Sequence, residues 1–194
     1  MTSEAISFPR DYNAAVDLLD SNIQQGRGDN TAFIDPYTSL TYADLEARAN
    51  KVANLWGRLG IGREARIAQV MIDTVDFPAV FLGSIKAGVI PIPLNTLLSA
   101  DYYRYIFNDS RCQAIVVSAP LLAVVEEALE GVTSVQHVIV VGGDGTAMMT
   151  FTVWSRRRTT VLTRPEPAAT RLPSGSIRRA RPACPRASSI SIRA

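Results

Sequence analysis

Ala65-Arg-Ile-Ala-Gln-Val-Met-Ile72, followed by Thr74 to Gly88 and then by Val89-Ile-Pro-Ile-Pro93, is the stretch that decides the fold. Its first segment is almost continuously apolar and short, the signature of a strand buried on both faces. The second carries Phe77, Val80, Phe81 and Ile85 at helical spacing, which predicts a helix that buries those four side chains. Thr74 is placed to cap this helix, and Pro78 is tolerated because first-turn N–H groups have no helical partner. Gly88 suits the C-terminal stop. The third segment is again a short apolar strand. Strand, helix and strand in this order form a βαβ unit, which requires a parallel sheet.

The same alternation continues on both sides. Ser99 is expected to cap a helix running through Tyr102, Tyr103, Tyr105, Ile106 and Phe107. Gln113 to Ser118 reads as a fully buried strand, Pro120 to Leu129 as a helix, and Val135 to Val141 as another buried strand. Upstream, Asn13 to Gln25 is a helix with Val16, Leu19, Asp20 and Ile23 on one face, ended by Gly26 and Gly28. Thr31 to Asp35 is a short strand, followed by a Pro-Tyr-Thr-Ser turn and a strand piece ending at Thr41. Thr41 with Asp44 resembles a capping box. The helix it opens has a stripe of Leu45, Ala49, Val52, Ala53, Trp56 and Leu59, stopped at Gly60. That stripe makes Trp56 a core residue rather than a ligand platform. The fold class is therefore α/β, a mainly parallel sheet with helices on both faces. If the sheet needs later strands, the apolar face of helix 43–59 is left without a partner, and aggregation is expected.

Composition narrows the function classes. Apolar residues make up 47% and charged ones 20%, a globular balance. No apolar run approaches the ~20 residues of a membrane span. Met1 to Arg10 contains Glu4 and lacks a basic start followed by an apolar core, so no signal peptide is read there. Cys112 and Cys184 lie far apart without metal-ligand spacing, which points to a reducing compartment and a cytoplasmic location. Cys112 and His137 read as structural residues at strand starts. With one histidine, no Ser/His/Asp set and no metal cluster is read from the sequence. Gly142-Gly-Asp-Gly145 follows a strand, but matches neither the dinucleotide fingerprint nor a Walker A loop, and reads as a turn. Asp73, Asp76 and Asp101 sit at helix starts, where carboxylates favour the helix dipole. Tyr102, Tyr103 and Tyr105 with Arg104 could stack on an aromatic group, yet two of the three tyrosines fit a packed helix face. No residue is assigned a catalytic, cofactor-binding or metal-ligating role.

The net charge of +2 conceals a split. Residues 1–146 hold ten Lys/Arg against seventeen Asp/Glu, whereas residues 147–194 hold ten Arg against Glu166 alone. Beyond Gly145 there is no hydrophobic period, and Arg, Pro, Ser, Ala and Thr dominate, a composition that predicts disorder. Taken at face value, this is an acidic domain with a basic, nucleic-acid-binding arm.

A resemblance argues otherwise. Tyr42-Ala-Asp-Leu45 followed by Ala49-Asn-Lys-Val-Ala-Asn-Leu55 resembles a helix of the adenylate-forming acyl-CoA synthetases. Phe81-Leu-Gly-Ser-Ile-Lys-Ala-Gly-Val-Ile-Pro-Ile-Pro-Leu-Asn95 resembles that family's helix, Lys-Ala-Gly turn and Pro-x-Asn segment. Tyr12 to Asp20, Gly26-Arg-Gly-Asp29, Thr74 to Gly83 and Asn95-Thr-Leu-Leu98 are similar to the N-terminal part of benzoate–CoA ligases in particular. Asn108-Asp-Ser-Arg111 and Ala114 to Ser118 continue the match, which covers roughly residues 11–143. The resemblance implies an ATP-, Mg²⁺- and CoA-dependent ligase that converts benzoate to benzoyl-AMP and then benzoyl-CoA. Another aryl acid such as 4-hydroxybenzoate is the alternative. It also implies a Ser/Thr/Gly-rich phosphate loop ending in Pro-Lys-Gly, which is absent as written, so the cofactors are not expected to bind this fragment well. The oligomeric state stays open.

That loop is due near residues 175–190. Across Gly175 to Ile192, codons taken one base earlier permit W-L-Y-S-S-G-S-T-G-L-P-K-G-V-V-H-L-H at all eighteen positions. Gly residues let backbone N–H groups approach a phosphate while Lys supplies charge, so such a loop suits ATP. The same offset permits a D-D pair at Met148-Met149-Thr150, which puts the slip near Gly143 to Ala147. The division expected is an N-terminal extension at 1–11, a partial N-terminal subdomain at 12–145, and a frameshifted, disordered basic tail at 146–194. Nucleic-acid binding and membrane association are not expected.

Overall fold

Residues 8–142 and 151–155 are described by the structure, a computed structural model. In chain order the elements are α1 (Ala14–Gln24), β1 (Thr31–Ile34), β2 (Ser39–Thr41), α2 (Tyr42–Arg58), β3 (Arg66–Val70) and α3 (Asp76–Lys86). They continue with β4 (Ile90–Pro93), α4 (Ala100–Ser110), β5 (Ala114–Ser118), α5 (Leu122–Ala128), β6 (His137–Val141) and β7 (Phe151–Ser155). β1 and β2 form an antiparallel hairpin of their own. The main sheet has the order β4-β3-β5-β6-β7, parallel from β4 through β6. β7 joins it antiparallel, with Val141 opposite Phe151 and His137 opposite Ser155. No element was expected past Val141, yet Phe-Thr-Val-Trp-Ser has the composition of a strand. Residues 143–150 and 156–194, which hold most of the Gly142–Gly145 turn, the expected slip and the basic tail, lie outside the described residues.

Alternation along the strands sorts the core into two layers, as a sheet covered on both faces requires. Ile67 and Met71 of the β3 segment, with Val116 and Ile139, pack under α2 and α3. Ala68, Val70, Ile115, Val117 and Val138 face Tyr103 and Phe107 of α4 and Val125 of α5. The expected stripe of α2 is buried at Leu45, Ala49, Val52 and Trp56, and Thr41 and Asp44 make the reciprocal capping box. The apolar face of α2 therefore has its partner within this chain, contrary to the expectation from missing strands. In α1, Asn13 caps the helix and also donates from Nδ2 to the Ile85 carbonyl at 2.8 Å. Its buried residues are Ala15 and Leu19, while Val16 is exposed.

The helix of the deciding stretch differs in phase from its reading. α3 buries Ala79, Val80, Gly83 and Ser84, and Phe77, Phe81 and Ile85 are only half-buried. The physical cause is the close approach of α2. A Cβ at Gly83 would lie 2.6 Å from the Ala49 carbonyl oxygen and 2.7 Å from the Val52 Cβ. Small residues therefore mark the contact, and hydrophobic spacing does not detect them. Thr74 does not cap α3, because Val75 occupies the N-cap position without a side-chain bond. Ser99 likewise precedes α4 without a side-chain capping bond. The C-terminal stop is as read. Gly88 adopts φ +74°, donating to Ile85 while Val89 donates to Ser84, the paired bonds of a Schellman turn.

Candidate functional site

The parallel strands carry their connections to one end, and in open α/β sheets the crevice outside the carboxyl ends of the strands is where ligands collect. Here that crevice is built from two pieces of chain. β3 ends at Val70, and Asp73, Thr74 and Val75 lead into Phe77 and Pro78 of α3. Opposite stand Phe33 and Ile34 of the hairpin, and together these residues line a cavity of about 180 Å³.

Asp35 fixes the two walls to each other. Its Oδ1 accepts from the backbone N–H groups of Tyr37 and Thr38, both at 2.8 Å, closing the hairpin turn. Its Oδ2 accepts from Val75 N–H at 3.0 Å, so the N-cap residue of α3 is held by the hairpin. These backbone bonds, led by that from Val75, hold the Asp35 carboxyl below the usual carboxylate range. Next to it Arg48 Nη1 meets Asp76 Oδ1 at 2.7 Å. Burial nevertheless pushes the Asp76 carboxyl up, against the opposing pull of Arg48. Gln69, fully buried in β3, donates to the Phe77 carbonyl at 3.0 Å and ties the sheet to the start of α3.

A carboxyl with a depressed folded pKa binds fewer protons in the folded state, so its stabilisation is present above about pH 4 and is lost as pH falls through the folded value. Asp35 and the capping residue Asp44 both act in this direction. Asp76, shifted upward, acts in the opposite one and weakens stability as pH rises past the unfolded value. The part of the acid response that Asp35 supplies is a fall in the urea midpoint between pH 5 and pH 3, and Asp35→Asn should remove it relative to the wild type. An unchanged slope in the variant would show that the hairpin clamp is not ionic.

The other residues singled out from the sequence do not converge on this crevice. Asp73 lines it, but Asp101 lies exposed on α4, paired with Arg104 at 2.5 Å. Of the three tyrosines only Tyr103 is buried, stacked on Phe107 at 5.9 Å and donating to the Asn95 carbonyl at 2.6 Å. Tyr102 and Tyr105 are exposed, so one tyrosine rather than two fits the packed face. Cys112 is buried, and burial raises its thiol to about 11, a structural rather than nucleophilic cysteine. His137 begins β6 half-buried, and burial lowers its pKa. Asp35 was missed, although Asp-Pro-x-Thr is a turn signal in which the first side chain bonds its own backbone.

Chemically, the crevice offers apolar walls with carboxylate oxygens at its rim. Its volume is below the roughly 300–1,000 Å³ of ligand pockets. Among the described residues, no three His, Cys, Asp or Glu side chains come together as a metal site. None of the described helices is long and apolar enough to cross a membrane.

Comparison with known proteins extends this picture. The family model of AMP-binding enzymes matches residues 19–175. Over 133 residues the chain is 48% identical to a 4-hydroxybenzoate–CoA/benzoate–CoA ligase of Rhodopseudomonas palustris, covering 69% of this chain and 25% of that one. Over 145 residues it is 41% identical to a benzoate–CoA ligase of Thauera aromatica, covering 74% of this chain and 28% of that one. The crystal structure of a benzoate CoA ligase from Burkholderia xenovorans superposes with a TM-score of 0.64 at 32% identity, over 74% of this chain and 34% of that one. The chain thus spans about a quarter of the length of the curated relatives it matches.

Proposed function

We propose, from the premise that the chain belongs to the AMP-binding enzyme family, that it is the N-terminal portion of an ATP-dependent benzoate–CoA ligase. The observation that carries this reading is the 48% identity over 133 residues to a ligase named for benzoate and 4-hydroxybenzoate. The second acid in that name makes 4-hydroxybenzoate the competing substrate, and the ratio of kcat/KM for the two acids decides between them. In the intact enzyme, Mg²⁺·ATP supplies the adenylyl group and CoA the accepting thiol. The residues described here do not fit that chemistry. They lack a phosphate loop and a carboxylate cluster for a metal, and what they provide is a scaffold. No step of the reaction is therefore assigned to them. The enzyme acts in the cytoplasm on a small aryl carboxylate, without nucleic acid as a partner.

The missing loop is supplied by the reading frame. The agreement of all eighteen positions from Gly175 to Ile192 with a phosphate loop, one base out of register, supports a slip near codons 143–147. The ten arginines after residue 146 are then a by-product of shifted GC-rich codons, and β7 is made of shifted residues as well. A single-base correction tests this directly. The 194-residue chain should release no pyrophosphate in response to benzoate. The corrected gene should yield an enzyme that forms benzoyl-CoA with kcat on the order of 1–10 per second. Turnover by the uncorrected chain would refute the truncation, and a corrected enzyme that ignores benzoate would refute the substrate.

A further inference from the structure

A sheet grows from its edges, and the two edges of this one are chemically unequal. At the β4 edge, Ile90 and Leu94 turn their N–H groups inward to the Ala65 and Gln69 carbonyls. The alternate, outward positions are Pro91 and Pro93, which have no N–H to offer, so this edge is closed to a further strand. At the opposite edge β7 pairs antiparallel with β6, from Val141 opposite Phe151 to His137 opposite Ser155. Among the described residues β7 is the last strand of the sheet, so alternate backbone groups of 151–155 point away from β6 with no described strand beyond them. The devices that blunt a natural edge are missing from this segment. Phe151-Thr-Val-Trp-Ser155 contains no proline, no glycine and no charge. Its β-branched and aromatic residues favour strand pairing instead.

We infer that the outer edge of β7 is a self-association edge, which takes the β7 strand of a second copy in an antiparallel, two-fold pair. The flanking charge selects that orientation. Arg156, Arg157 and Arg158 follow β7, whereas Ala147-Met-Met-Thr150 before it carries no charge. A parallel pair would set two arginine triplets side by side, where like charges repel. An antiparallel pair sets each triplet against the uncharged approach of the partner and makes the contact isologous. Because the proline edge cannot propagate the sheet, assembly closes at two copies and forms no fibre. Five residues a side bury less than the ~1,200 Å² of a stable complex, so the pair is reversible and forms at micromolar concentrations. The inference goes beyond the ligase reading and holds whichever acid the intact enzyme activates.

Mass as a function of concentration tests it. In sedimentation velocity the 194-residue chain should pass from monomer to dimer as its concentration rises, and no further. Thr152→Pro and Val153→Pro occupy adjacent positions, so one removes an inward N–H of β7 and the other an outward one. Both should weaken self-association by about tenfold or more, and the outward variant should keep the amide-exchange protection of β6. Orientation is read by disulfides in a Cys184→Ser background, where Cys112 is buried. A mixture of Phe151→Cys and Ser155→Cys chains should cross-link about tenfold faster than either chain alone, because only the mixed pair comes within disulfide reach. A chain that stays monomeric would overturn the inference, and so would growth past the dimer. Faster cross-linking of like with like would overturn it as well. A dimer that survives both prolines would move the contact to another surface, such as the exposed Phe33 and Ile34, and would overturn it equally.

Discussion

Gly83→Val is expected to destabilise the fold by about 3 kcal/mol or more, visible as loss of the cooperative transition or a sharp drop in its urea midpoint. The added Cβ would fall 2.6 Å from the Ala49 carbonyl oxygen, inside the distance that real contacts allow. That oxygen belongs to the backbone of α2, which is itself pinned by Trp56, Leu45 and Val52 in the core. The clash therefore cannot be relieved by a side-chain rotation and must move one helix against the other. Two γ-methyls add to the conflict, and a β-branched residue gains less in helix propensity than alanine. Gly83→Ala is the graded control. Alanine recovers up to about 1 kcal/mol of helix propensity, against an overpacking cost of about 1–3 kcal/mol. It should therefore be milder than valine but still destabilising. A Gly83→Ala variant more stable than the wild type would show that α2 and α3 are not in this close contact.

The same contact explains what the sequence revealed and what it concealed. The strands at 66–70, 114–118 and 137–141 were legible because a strand buried on both faces needs continuous apolar residues, a requirement that few other structures share. The α2 stripe was legible for the complementary reason, since Leu45, Ala49, Val52 and Trp56 repeat at the helical period. α3 was legible as a helix but not in its rotation. Hydrophobic spacing weights Phe77, Phe81 and Ile85 heavily and gives Gly83 and Ser84 no weight, yet close helix packing selects small residues. The strand at 151–155 was hidden inside a stretch whose overall composition dominated its local one.

The crevice was less legible, for a physical reason of a different kind. Asp73 could be placed near a helix start from the sequence alone. Asp35 could not be connected to it, because the bond from Val75 N–H to Asp35 spans forty residues and depends on how the hairpin folds back. Likewise the ion pair between Arg48 and Asp76 joins two helices whose relative placement no local pattern encodes. Family resemblance filled part of this gap, since it identified the scaffold without assigning a role to any single residue.

Trp56→Ala is the second large perturbation, expected to cost about 3–5 kcal/mol. Trp56 is fully buried between α2 and α3, and its indole N–H donates to Ser84 Oγ at 3.0 Å, while that hydroxyl donates to the Val80 carbonyl at 2.6 Å. Removing the ring opens a cavity in the centre of the larger core layer, where α2, α3 and β3 meet. Two milder variants separate packing from hydrogen bonding. Trp56→Phe keeps most of the apolar volume and leaves Ser84 its bond to Val80, so the polar loss should be about 1 kcal/mol. Ser84→Ala strands the indole N–H in a buried site, at about 1–3 kcal/mol. Because Trp56 and Ser84 are in direct contact, the double variant should cost less than the two single ones added together, by at least about 0.5 kcal/mol. Strict additivity in thermal or urea unfolding would mean that the indole and the hydroxyl stabilise the interface separately.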